Sequence, residues 1–154
     1  MVGNLGQSRV KVAGNVRTLY SSVRDWEHRL DPDSPNVPAG GTRITCDEID
    51  VNRWQPRDAD HPVTEVVASG NSRVMGELFE ATAATLKFDE MSGFLTIEGD
   101  DRNSANLWHQ ANRNASRNHL SATKIRYRPA DGSTVIDDVK HASVGSNNGL
   151  RSNR

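Results

Sequence analysis

Ala83-Ala84-Thr85-Leu86-Lys87-Phe88 is the middle copy of a spacing that this 154-residue chain uses three times. A small residue is followed at +3 by Ile or Leu and at +5 by Val, Phe or Tyr. The first copy is Cys46-Asp47-Glu48-Ile49-Asp50-Val51 and the third is Ala122-Thr123-Lys124-Ile125-Arg126-Tyr127. The copies begin 37 and 39 residues apart, and recurrence at that interval marks a repeated supersecondary unit. Side chains alternate faces along a strand. A step of three flips the parity, so the small residue and the later pair share a face only if a bulge or corner lies between them. Three such bends fold one sheet into two facing walls. Cys46, Ala83 and Ala122 then stand where the opposing wall comes close.

The surrounding residues extend the pattern. Residues 77–87 are rich in alanine, a helix former. The match to the other copies, the β-branched Thr82 and Thr85, and the hairpin that follows set them as a strand instead. Phe88 and Tyr127 are each followed five residues later by a turn glycine, Gly93 and Gly132. Beyond those turns, Leu95-Thr96-Ile97 matches Thr134-Val135-Ile136. Each unit is therefore a strand, a tight turn and a strand. Stacked along an axis, such units predict an all-β fold: an open, elongated antiparallel β-jelly roll of solenoid-like stacked hairpins.

Strands are expected over residues 9–20 (as one strand, or as two broken at Gly14), 42–52, 63–69, 73–75, 78–88, 94–98, 104–110, 121–128 and 133–139. Two long loops interrupt them, at 21–41 and 53–62. Pro32, Pro35, Pro38, Gly40 and Gly41 exclude regular structure over much of the first, and Trp26 and Leu30 are available to pin it. Residues 1–8 and 145–154 are polar and read as loose ends, which leaves a single domain over 9–144.

Composition fits a thin interior. Only 34% of the chain is apolar and 5% aromatic, with a mean hydropathy of −0.69. Charges nearly cancel, 19 basic against 20 acidic, so no bulk attraction to nucleic acid is implied. The single cysteine excludes an internal disulfide and a thiolate metal cluster within one chain. No apolar run approaches a membrane span. The first residues lack the basic and apolar segments of a signal peptide, so the chain is read as either cytoplasmic or a piece of a longer exported protein.

Val67-Ala68-Ser69-Gly70-Asn71-Ser72, Leu78-Phe79-Glu80-Ala81-Thr82-Ala83, Leu86-Lys87-Phe88-Asp89 and Gly93-Phe94-Leu95-Thr96-Ile97-Glu98-Gly99-Asp100 together resemble the OstA-like (LptA/LptC) family of lipopolysaccharide-transport proteins. Val12-Ala13-Gly14-Asn15-Val16 is similar to the same Gly-Asn element. The resemblance covers residues 9–140, most strongly 63–100, although the two long loops depart from its regular repeat. It implies a β-jelly roll open along one side, whose apolar interior holds the acyl chains of lipopolysaccharide or a related lipid. Val67, Phe79, Ala81, Ala83, Leu86, Phe88, Leu95 and Ile97 are the expected lipid-binding residues. Neighbouring OstA-like domains or protomers are the expected partners, joined through edge strands. A periplasmic or outer-membrane-associated location follows from the same resemblance. The alternative is a structural or assembly module of this fold with a filled core and no ligand.

Other chemistry has little support in the sequence. His28, His61, His109, His119 and His141 are scattered without metal-ligand spacing, and residues 98–101 lack the pattern of a calcium loop. No nucleotide-binding glycine motif and no nucleophile elbow occurs. No catalytic residue, metal or cofactor is therefore assigned, and the chain is not read as an enzyme. Trp54 and Trp108 are read as covers over a strand edge or core end. Arg113, Arg117, Arg126 and Arg128 are read as a solvated face in preference to contacts with lipid phosphates.

Overall fold

In a computed structural model, residues 8–21, 31 and 33–137 are described. The two loose ends expected from the sequence lie almost wholly outside this range, as do Trp26, Leu30, His28 and His141. The described residues contain strands and no helix. The strands are β1 (Ser8–Tyr20), β2 (Thr42–Trp54), β3 (Val63–Gly76), β4 (Phe79–Asp89), β5 (Phe94–Glu98), β6 (Ala105–His109), β7 (Asn118–Ala122), β8 (Lys124–Arg128) and β9 (Ser133–Asp137). They form one open antiparallel sheet, in which the main path runs β1-β2-β3-β4-β5-β8-β9. The alanine-rich segment is strand, as its place in the repeat requires.

The sheet forks at β4. One side of β4 pairs with β3 along most of its length. The other side is shared: Thr85–Asp89 pairs with β5, and residues 79–82 pair with β6, which in turn pairs with β7. The stretch expected as one strand over 121–128 therefore divides at Thr123. Before it the chain pairs with β6, and after it with β5. The Thr123 carbonyl leaves the ladder to accept from the Gly99 amide at 2.9 Å. The loop expected at 53–62 also shortens, because Arg53 and Trp54 continue β2 in register with Thr64 and Val63.

The repeated parity flip marks a real bend. Ladder registers shift between Ala13 and Val16, between Thr45 and Glu48, and between Ser69 and Ser72. In each copy the buried or core-packed residues change parity across it. They are Ile44 and Cys46 then Ile49 and Val51, Ala81 and Ala83 then Leu86 and Phe88, and Leu120 and Ala122 then Ile125 and Tyr127. Two bends are made by Gly-Asn pairs in the left-handed region, Gly14 and Asn15 (φ 95° and 47°) and Gly70 and Asn71 (φ 75° and 47°). Glycine enters that region freely, and asparagine is among the few other residues that do. The Asn71 side-chain amide donates to Asp47 Oδ2 at 3.0 Å, which locks the second corner to the neighbouring strand.

The hairpin turns follow their sequence signals. Gly93 and Gly132 have φ of 70° and 71°, and their amides donate back to the Asp89 and Arg128 carbonyls at 2.8 Å each. Asp89 and Asp131 accept from the amides two residues on, as aspartates at turns do.

Candidate functional site

The candidate site is the apolar interior face, and the strand registers assemble it row by row. Beyond the bends, Val10, Val51, Val66, Phe88, Leu95 and Tyr127 stand opposite one another across six strands. A second row joins Val12, Ile49, Ala68, Leu86, Ile97, Ile125 and Ile136. On the other branch the row is Ile44, Val74, Ala81, Leu107 and Leu120. Each row is continuous because cross-strand partners share a face.

Size complementarity closes this interior. Cys46, Ser72, Ala83, Ala105 and Ala122 stand beside the bend, and all are buried. These small side chains leave room for Leu86, Ile97 and Ile125 of the other branch. Both branches belong to one core cluster. Ile97, Leu107 and Ile125 are wholly buried, so the interior is filled by side chains between β4 and β8. The opposite end is open. Val10 and Val12 face inward by register, yet remain 58% and 47% exposed.

Seven of the eight residues expected to contact lipid come together on this face. Ala81, Ala83, Leu86, Leu95 and Ile97 are buried in the core, and Phe79 and Phe88 pack against it. Val67 stands apart. Its neighbours Val66 and Ala68 point inward, so Val67 lies on the outer face, in register with Asp50 and Lys87. The sequence reading passed over Leu107, Ile125, Ala105 and Ala122, although the third copy of the spacing named two of them. It also missed Val10 and Val12 at the open end, whose alternation with Lys11 was visible.

A second opening lies at the far end of the fork. There Phe79, His109 and Tyr127 line a cavity of about 530 Å³ together with Leu78, Pro129 and Ala130. The Tyr127 ring lies 5.3 Å from that of Phe79 and 5.7 Å from that of His109, centroid to centroid, and so joins the two branches. Burial pushes the His109 imidazole below its ordinary range. Burial, aided by Asp131, raises the Tyr127 phenol.

The outer faces are polar. Lys11–Glu48, Lys87–Glu65, Lys124–Glu98 and Arg126–Asp137 pair across neighbouring strands at 2.7–2.9 Å. Each such exposed pair is worth about 0.2–1 kcal/mol and mainly fixes register. Arg113, Arg117, Arg126 and Arg128, weighed as phosphate contacts, each hold a carboxylate instead: Glu77, Glu80, Asp137 and Asp131. Trp108 lies flat on His119, with ring centroids 4.7 Å apart, on the outer side of β6 and β7. Among the described residues no three His, Cys, Asp or Glu side chains gather at metal-binding range. Comparison with protein-family models, curated proteins and solved structures returns no match to this chain.

Proposed function

We propose that this chain is a lipid-binding or lipid-conduit module of the OstA-like type, an open jelly roll whose interior accepts the acyl chains of lipopolysaccharide or a related lipid. Edge strands would join it to neighbouring domains or protomers, and a periplasmic or outer-membrane-associated setting goes with this reading. The observation that carries it is the pair Val10 and Val12. Both continue the apolar interior rows, and both are left about half open to solvent. Covering such side chains gains roughly 25 cal/mol per Å² of apolar area. An acyl chain lying along β1 would extend the interior without disturbing the packed half.

A second reading is an assembly module with a filled core. It is favoured by the complete burial of Ile97, Leu107 and Ile125, which leaves no room for a chain between β4 and β8. It is also favoured by the thirteen-residue β1, which among the described residues pairs only with β2. One experiment separates the two. A photocrosslinking residue is placed at Val12 or at the outward neighbour Lys11, with purified lipopolysaccharide as the probe. The lipid reading expects lipid adducts several-fold stronger at Val12. Equal labelling at the two sites overturns it, and chain-to-chain adducts at Val12 without lipid support assembly.

A further inference from the structure

We propose that the outer face of β1, β2 and β3, beneath the loop over residues 33–41, is a binding site for a phosphate-bearing ligand. Arg17, Arg43 and Arg73 build it. Arg17 and Arg73 flank Thr45 in one cross-strand row, and Arg43 is in register with Met75 in the next. Val16, Ile44, Cys46 and Val74 point into the core, so these arginines project from the opposite face. They line an open cavity of about 690 Å³ together with Asn15, Asp33, Asp47 and Asn71.

Among the described residues these donors are poorly matched. Arg43 Nε is shielded from solvent and has no hydrogen-bond partner among the described residues. Its Nη2 donates to loop carbonyls, those of Ser34 and Asn36. Arg17 holds the loop carboxylate of Asp33 at 2.9 Å, in a pair whose side chains are 65% and 69% exposed. Of the three, Arg73 is the one tied to a strand partner among the described residues, Glu80. The second carboxylate at the cavity, Asp47, is engaged by Asn71. The oxygens that Arg17 and Arg43 reach thus come from an exposed loop and stand where a ligand's oxyanion would. A buried donor without an acceptor is rare in proteins. Clustered guanidinium forks match the oxygens of phosphate closely.

The three arginines project from the face opposite the apolar rows, so the fate of this site does not depend on the lipid reading. The test uses the full chain and two probes: sodium pyrophosphate by titration calorimetry, and phosphatidylcholine vesicles with and without phosphatidic acid by sedimentation. Saturable pyrophosphate binding alone assigns a soluble phosphate ester; retention on phosphatidic acid vesicles alone assigns a lipid headgroup. Either supports the site if Arg17→Gln and Arg43→Gln each weaken it about tenfold or more, as loss of a charge-assisted pair does. Asp33→Asn should tighten binding, because it removes the internal competitor. Lys124→Gln, on the other branch, should leave it unchanged. The proposal fails if neither probe binds, or if the arginine variants lose no more than Lys124→Gln. Arg17 is exposed on an edge strand, so its variant keeps the test decisive if Arg43→Gln disturbs folding.

Discussion

At Gly70 the backbone and a neighbouring side chain make the same demand. Its φ of +75° suits glycine, and a Cβ there would collide with the Asp47 side chain. Gly14 makes the matching corner on β1 with φ of +95°, but a Cβ there would meet nothing within 4 Å. The two positions therefore separate conformational cost from packing cost. Gly14→Ala should cost about 1 kcal/mol from the left-handed backbone alone. Gly70→Ala should cost about 2–3 kcal/mol, because it also displaces Asp47 from Asn71. Urea denaturation of the two variants measures the difference, and equal losses would refute the role given to Asp47. Cys46 was legible at this scale. Two alanines in equivalent copies marked it as a small packer, and it is 5% exposed with its thiol pushed up by burial and by Asp47. Ser72 was not legible. It fills the same small-residue row, but β3 carries no copy of the spacing, so only the three-dimensional register reveals it.

At the scale of elements, the hairpins were written in the chain and the fork was not. Gly93 and Gly132 each fix a local turn, which a window of five residues can specify. The division of β4 between β5 and β6 depends on contacts distant in sequence, and no local residue encodes it. The Thr123 break follows from that division, which is why 121–128 reads as one strand until the pairing is known. The fork places His109 of β6 beside Tyr127 of β8, with a consequence for acid stability. The His109 pKa is lowered from 6.5 in the fold by burial, so the unfolded chain takes up its proton first as pH falls. Its contribution is complete above about pH 6.5 and declines below it, levelling off only beneath the folded pKa. At Glu80, burial alone would raise the carboxyl, but hydrogen bonds from Arg117 and Arg73 outweigh it and hold the pKa below 4.5. The stability from Glu80 is therefore lost at lower pH, as it falls through that depressed value. Melting temperatures measured from about pH 8 to about pH 5 should fall in the lower part of the range, and His109→Gln should flatten that fall. An unchanged slope would assign the loss to other groups.

At the scale of the molecule, one sheet supplies both faces of its own core. That economy accounts for a chain that folds with only 34% apolar residues. Alanines on one branch receive the large aliphatics of the other, so few bulky side chains are needed. The arrangement also distributes stability unevenly. β5 and β8 are paired on both sides and carry Ile97 and Ile125, whereas β1 is exposed along most of its length. Native-state hydrogen exchange should therefore find the slowest amides in β5 and β8 and the fastest in β1, since local opening costs least where little apolar area is buried. The two functional readings then diverge in a measurable way. An acyl chain seated against Val10 and Val12 should slow exchange in β1 and in its partner β2 on addition of lipopolysaccharide, at a protein concentration too low for self-association. Edge pairing should slow the outward amides of β1 as protein concentration rises, with no lipid present. Protection that appears instead across β5 and β8 on lipid addition would mean that the packed half opens to admit the ligand, and would contradict a guest confined to the β1 end.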